Sequence, residues 1–296
     1  MKKRRNILPY LLLTPFLLLV ILFFLMPVIV TAIMAFTDMN FSMKWNFVGF
    51  TNFKRIVEDP NFNQLIWNTV KYVLGTLCIN VLFALFLAIL TSYFIQNERT
   101  STTYRAIWML PRISPPIIYI VLWMWLLDPS EMGILNSLRA MFGAEPYFWV
   151  GNHAMTIVIL VNGLVGASYG MTIFSAAIKS IPVSLFRAAK VDGASDHSVI
   201  FDIILPAIKW PIMFVSIWQL LSLLTSYEYI LLLTDGGPMI ESEVWALHAY
   251  HKAFANLEFG YGAALALILV MVALVCTLIM LRLFGFDKML KSSRID

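Results

Sequence analysis

The chain alternates long uncharged apolar runs with short polar connections. Ile7 to Thr37, Tyr72 to Asn97, Ala154 to Ile178 and Phe259 to Leu281 contain no charged residue. Each is long enough to cross the hydrocarbon core, which takes about 20 residues of helix. Two further runs come close. Ile113 to Leu127 is short alone and long enough if it starts near Ala106 and takes in Arg112. Trp210 to Tyr227 is followed by the single acid Glu228 and then by Tyr229 to Thr234. The pattern predicts an all-α membrane protein with six transmembrane helices, at 7–36, 68–95, 105–127, 154–178, 209–233 and 261–284. A cytoplasmic loop at 179–208 belongs to the same single membrane domain, residues 1–296. The first run has the basic start of a signal peptide, but its apolar stretch far exceeds a signal's 7–15 residues, so it is read as a retained helix.

Composition agrees. Hydrophobic residues make up 60% of the 296 and charged residues 13%, against roughly 25% charged in a soluble domain. A soluble enzyme and a secreted domain are thereby excluded. Cys78 and Cys276 both lie inside apolar runs, where they read as packing residues and not as a disulfide framework.

The net charge of +4 is a topology signal and not a nucleic-acid signal. Fourteen basic residues fall on one side: Lys2, Lys3, Arg4, Arg5, Arg99, Arg105, Lys179, Arg187, Lys190, Lys209, Arg282, Lys288, Lys291 and Arg294. Five fall on the other: Lys44, Lys54, Arg55, Arg139 and Lys252. This asymmetry puts both termini in the cytoplasm. The opposite side is acidic, and tryptophans such as Trp67, Trp123 and Trp149 sit near span ends as an interfacial belt. No repeat of 20–50 residues is present, which argues against an inverted-repeat secondary transporter. No G-x-x-x-x-G-K-[ST] is present, so ATP is not held here by a P-loop.

The 179–208 loop is more than a connector. Pro182 suits the first turn of a short helix, and Leu185, Ala188 and Ala189 give it a slim apolar face. Asp192 and Gly193 end it, with Gly193 suited to the left-handed conformation. Ser195 is the candidate N-cap of a second helix with Asp196 in its first turn, and Pro206 is expected to stop it. A slim helix of this kind suits a groove on another protein.

The run Ser180-Ile-Pro-Val-Ser-Leu-Phe-Arg-Ala-Ala-Lys-Val-Asp-Gly-Ala-Ser195 resembles the "EAA" loop of binding-protein-dependent ABC importer permeases. Phe47-Val-Gly-Phe-Thr-Asn-Phe-Lys54, Leu110-Pro111 with Pro115-Pro116, Leu127-Asp-Pro129 with Gly133-Ile-Leu-Asn136, Thr234-Asp-Gly-Gly-Pro238 and Phe259-Gly-Tyr-Gly-Ala-Ala264 match further segments in family order. The resemblance spans essentially the whole chain and is nearest to carbohydrate permeases of the maltose-transporter kind. It implies the type I ABC importer permease fold in a bacterial-type plasma (inner) membrane, multi-pass. It implies a transport subunit and not an enzyme, with no cofactor and no metal in this chain.

The partners it implies are a second permease subunit forming a heterodimer, two ATP-binding subunits that hydrolyse ATP, and an extracytoplasmic solute-binding protein that delivers a sugar or oligosaccharide. The alternative cargo is a non-sugar solute such as glycerol phosphate or a polyamine. A stand-alone secondary transporter or membrane enzyme would need coupling acids or a catalytic cluster within the spans, and only Glu228 is available.

By the same resemblance Leu185, Arg187, Ala188, Ala189, Asp192, Gly193 and Ala194 form the ATPase-coupling segment. Arg187 stands where the family usually carries a glutamate that pairs with basic groups in the ATPase cleft, and it cannot make that pair, while packing by Leu185, Ala188 and Ala189 can survive the swap. The substrate path falls on Arg112, Gly166, Tyr169, Gln219 and Ser226, with Leu223 standing where a polar group is usual. Gln219 and Ser226 are spaced i, i+7 on one helix face.

Small and polar residues also glue spans together, so packing is the competing account of these positions. Arg112 follows Pro111, where irregular backbone could line a polar path. Its guanidinium either meets cargo hydroxyls or a carboxylate, or snorkels to the interface or pairs with a partner. Glu228 reads as a structural residue of the gate or pair interface. His248 and His251 are spaced i, i+3 without the further ligands a metal needs.

Overall fold

A computed structural model describes residues 8–284 of the chain. Ile7, which opens the first expected span, and the terminal residues Lys2, Lys3, Arg4, Arg5, Lys288, Lys291 and Arg294 lie outside the described residues.

Helix follows the apolar runs. Helix α1 (Leu8–Val20) continues through a wide π turn at Ile21–Leu25 into α2 (Met26–Met34). The short α3 (Thr51–Val57) precedes α4 (Phe62–Ile89), which ends in a π turn at Leu90–Phe94. Next come α5 (Glu98–Ile113), α6 (Pro116–Leu126), and the short α7 (Ile134–Met141) and α8 (Trp149–Asn152). Helix α9 (Ala154–Lys179) leads into the loop, which holds α10 (Val183–Val191), α11 (Asp196–Ser198), a π turn at Val199–Ile204 and α12 (Leu205–Ala207). Helices α13 (Lys209–Leu224), α14 (Glu228–Leu233), α15 (Trp245–Tyr250) and α16 (Phe259–Phe284) follow. Among the described residues the only β pairing is an isolated bridge between Thr37 and Phe47.

Four helical stretches are long and apolar enough to span: Leu11–Met34, Phe62–Phe94, Ala154–Lys179 and Phe259–Leu283. The number reaches six when each of two bent pairs is taken as one span.

One bend falls inside the span expected at 105–127, and the other falls at the boundary between the loop expected at 179–208 and the span expected at 209–233. Helix α5 starts earlier, at Glu98, and turns by 98° into α6. Pro111 sits inside α5 without ending it. The break falls at Ser114 and Pro115, which are extended with ψ of 145° and 137°. The physical reason is the tandem Pro115-Pro116: each proline drives the residue before it out of the helical region. The second pair bends by 66° at Ile208, just past Pro206, so the chain runs on to Ala207 before it turns. The fifth stretch is interrupted again at residues 225–227, between α13 and α14.

The described residues form two compact units, 8–62 with 248–271 and 63–247 with 272–284. In the first, the side chain of Asn52 is buried and donates to the carbonyls of Ala35 and Thr37 at 2.9 and 2.8 Å, satisfying the C-terminal end of α2. That is the physical content of the Phe47–Lys54 motif. Arg55 pairs with Glu258 at 2.7 Å and lies over the Tyr261 ring.

In the second unit α9 is the central helix. Two-thirds (67%) of its spanning window is buried within the chain, and its sequence is rich in Gly, Ala and Ser, the residues that let helices approach closely. Helix α4 packs on it with one face, burying Tyr72, Thr76, Asn80, Ala84 and Leu87 at helical spacing. Leu74, Leu82 and Phe86 point outward, as does Cys78, which therefore faces away from the helix packing expected for it.

Candidate functional site

The seam between α4 and α9 is set by glycines. A Cβ added at Gly163 would come within 2.8 Å of Ile79, and one at Gly170 within 2.8 Å of Ala84. At Gly166 it would collide with the side-chain amide of Asn80. Gly166 is thus a close-packing residue on one side. On its other side it borders a cavity of about 280 Å³.

Residues from four helical segments surround that cavity. The α5–α6 bend supplies Pro111, Arg112, Ser114 and Pro116, and α9 supplies Asn162, Val165 and Gly166. Gln219, Ser222, Leu223, Ser226 and Tyr229 come from α13, the break after it and α14. Of the five residues expected on a solute path, Arg112, Gly166, Gln219 and Ser226 therefore line one cavity. Tyr169 does not line it, but its ring lies behind Arg112, with the guanidinium carbon 5.2 Å from the ring centroid. Trp218 lies on Tyr169 in turn, at 6.4 Å between centroids.

One expectation about this group is corrected. Gln219 and Ser226 do not share one helix face, because α13 ends at Leu224 and Ser226 lies in the break. Both reach the cavity because the turn at Ser226, whose N–H bonds the Leu223 carbonyl at 3.2 Å, folds back under the helix end.

Hydrogen bonds orient the polar wall. The Gln219 amide Nε2 donates to the Gly166 carbonyl at 2.9 Å, which fixes its carbonyl oxygen as an acceptor. Asn162 Nδ2 donates to the Tyr72 hydroxyl at 2.5 Å, and that hydroxyl donates to Ser226 Oγ at 3.0 Å. With its oxygen thus engaged, the Ser226 hydroxyl is left to donate its own proton toward the cavity. The Ser114 hydroxyl donates to the Leu110 carbonyl at 3.0 Å and so offers only acceptor capacity.

Asn162, Ser222, Tyr229 and Tyr72 were not picked out from the sequence. Asn162 was legible as the residue one helical turn before Gly166. Tyr72 was legible as part of the polar stripe Tyr72, Thr76, Asn80 inside an uncharged run. Ser222 was legible as the residue three after Gln219 on the same helix face, whereas Tyr229 carried no such signal, since its facing depends on the break after α13.

The 179–208 loop is anchored to the same helices. Val199, Ile204 and Ile208 are buried with Ala84, Leu87, Met171, Phe174 and Ile178, and Phe186, Ala189 and Ala194 pack partly onto that core. Tyr93 donates to Asp196 at 2.7 Å, and Lys179 pairs with Glu98 at 2.6 Å. Pro182 is the residue just before α10, Gly193 has φ +73°, and Ser195 Oγ caps α11 by accepting from the Ser198 N–H. Leu185, Arg187, Ala188, Asp192 and Gly193 are exposed. Ala189 is half-buried and faces the chain's own core, so it is not part of the outward face on which it was expected.

The turns carrying the other motifs are self-bonded. Asn136 donates to the carbonyls of Asp128 and Tyr147. In the Thr234–Pro238 turn, Ser242 Oγ donates to the Gly237 carbonyl at 2.7 Å and lies 2.8 Å from the Thr234 hydroxyl, with Gly236 at φ +81°. None of these motif residues lines the cavity.

The chain is similar to several known proteins. The sn-glycerol-3-phosphate transport system permease of Escherichia coli is 29% identical over 94% of each chain. A diacetylchitobiose uptake system permease of Streptomyces coelicolor is 31% identical over 80% of this chain and 70% of its own. A probable ABC transporter permease of Pyrococcus horikoshii is 30% identical over 93% of this chain and 96% of its own. The fold matches a crystal structure of a bacterial alginate ABC transporter in complex with alginate pentasaccharide-bound periplasmic protein, with a TM-score of 0.82, 24% identity and 96% of both chains covered. Residues 80–287 match the family of binding-protein-dependent transport system inner membrane components. The chain belongs to that family: it is a permease subunit of an ABC transporter.

Proposed function

We propose that this chain forms half of the translocation path of an ATP-driven importer for a sugar or oligosaccharide. In this reading the α5–α6 pair forms one span and α13 with α14 another, giving six with the four long helical stretches, and residues 179–208 and both termini are cytoplasmic. A second permease completes the path, two ATPase subunits dock on the 179–208 loop, and an extracytoplasmic binding protein delivers the cargo.

The observation that carries the reading is the convergence of Arg112, Gly166, Gln219 and Ser226 on one cavity inside a permease fold. Sugars are bound by fixed donors and acceptors beside apolar and aromatic surface, and this wall provides both. The diacetylchitobiose relative supports a saccharide cargo, as do the Thr234–Pro238 and Phe47–Lys54 motifs. Loop movement reaches the cavity through α9, which carries Asn162 and Gly166 and is packed onto the loop at Phe174 and Ile178.

The test is ATP-dependent uptake of labelled oligosaccharides by the reconstituted complex with its binding protein. Uptake that requires ATP and binding protein supports the reading. Failure to move any saccharide, with a non-sugar solute moved instead, removes the cargo assignment and leaves the permease assignment standing. Glycerol phosphate is the second reading, favoured by one observation, the cation Arg112 on the cavity wall. A polyamine is disfavoured by the same cation, and among the described residues no Asp or Glu lines the cavity.

A further inference from the structure

Among the described residues Arg112 is the only charged side chain lining the cavity. Among the described residues it has no ion-pair or hydrogen-bond partner, and its guanidinium lies over the Tyr169 ring. Glu228, the acid nearest in sequence to the α13–α14 break, is not part of the wall. A ring holds a guanidinium by its flat face. The N–H groups along the guanidinium edge stay free, and their fork geometry matches a carboxylate or phosphate.

The neighbouring hydroxyl is biased in the same direction. Ser226 Oγ accepts from the Tyr72 hydroxyl at 3.0 Å and from Asn162 Nδ2 at 3.4 Å, which occupies both of its acceptor positions and leaves its O–H as a donor. A cation without a counterion within a membrane span is unfavourable unless something compensates it. Here the compensating group is absent from this chain's own wall.

We propose that the cavity recognises an anionic group on the cargo, a carboxylate or a phosphate, held by Arg112 with the Ser226 hydroxyl as second donor. The inference rests on reading the cavity as the solute path, and it narrows the cargo to an acidic saccharide or a phosphorylated polyol. Tyr169 is a positioning residue that acts through Arg112.

The test uses the assembled transporter in nanodiscs and three probes: trigalacturonate for carboxylate, sn-glycerol-3-phosphate for phosphate, and maltotriose as a neutral control. Equilibrium binding is measured for the parent, Arg112→Gln, Arg112→Lys, Ser226→Ala and Gln219→Leu complexes. The expected result is saturable binding of an anionic probe, weakened at least about tenfold by Arg112→Gln and less by Arg112→Lys, which keeps the charge and loses the fork. Preference between the two anionic probes identifies the group. Should Arg112→Gln fail to assemble, the Arg112→Lys loss, with Ser226→Ala as an independent second donor deletion, carries the test. The proposal is overturned if neither anion binds the parent, or if the anions bind the parent and the Arg112 variants alike. Maltotriose binding that Gln219→Leu abolishes and Arg112→Gln leaves unchanged would retain the solute path and reject the anion. Binding of all probes indifferent to every variant would reject the path itself.

Discussion

The Arg112 guanidinium carbon lies 5.2 Å from the centroid of the Tyr169 ring, so the end of α5 and the middle of α9 meet through a cation–π contact at the edge of the cavity. Such contacts contribute about 1 kcal/mol, which corresponds to roughly a fivefold change in an equilibrium constant. Tyr169→Leu is expected to raise the half-saturating cargo concentration for uptake by about that factor, while Tyr169→Phe stays close to the parent. Saturation curves for uptake measure both. Identical curves for Tyr169→Leu and the parent would leave the ring no role in holding Arg112.

Gly166 leaves no room for a Cβ against Asn80. Gly166→Ala is expected to lower the thermal stability of the purified complex, since overpacking of a close-packed seam costs about 1–3 kcal/mol. Asn80→Ala combined with it removes the obstructing amide and is expected to restore part of the loss. The side-chain oxygen of Asn80 is buried without a hydrogen-bond partner, so its removal should itself cost little. A double variant as unstable as the sum of the singles would show that the two residues do not meet.

The loop makes a contrast between adjacent alanines. Ala188 is exposed, and Ala189 is half-buried against the core that holds the loop to α9 and α13. Ala188→Trp is expected to prevent co-purification of the ATPase while leaving thermal stability unchanged. Ala189→Trp is expected to lower stability first. Arg187 is exposed on the same loop helix, and its charge calls for an acid on the ATPase groove, so Arg187→Glu should reduce complex yield at low salt more than at high salt. Full ATPase recovery with Ala188→Trp would remove the docking role.

The helical class, the spanning runs and the ends of the loop helix were legible because they depend on local signals. Uncharged length marked the spans, Gly193 marked a left-handed turn, and Ser195 marked an N-cap. The bends were not legible in the same way. Pro111 looked like the break in the third span, yet the chain tolerates it inside α5 and turns at Ser114-Pro115, where two consecutive prolines act together. The resemblance put Ser226 on the path, but the i, i+7 face it was to share with Gln219 does not exist, and Ser226 reaches the cavity through the break after Leu224. Asn162 and Tyr72 were missed because their role is a hydrogen-bond chain between helices, which no single-helix pattern encodes.

Orientation is tested separately from mechanism. Fusing a reporter active only in the cytoplasm after Ser195 is expected to give signal, and after Glu145 none, following the positive-inside bias of the loops. The reverse pattern would turn the permease over.

The most direct test of the central claim, that cargo passes through the cavity between the α5–α6 bend, α9 and α13, is to plug it. Ser222 is exposed on the cavity wall, so Ser222→Trp can be placed there without disturbing the packed seam. ATP-dependent uptake of the cargo carried by the binding protein is measured in proteoliposomes of the complete transporter, alongside complex yield and basal ATPase activity. The account predicts uptake reduced at least about tenfold, with yield and basal ATPase activity at parent levels. Uptake at the parent rate through the plugged cavity would contradict it.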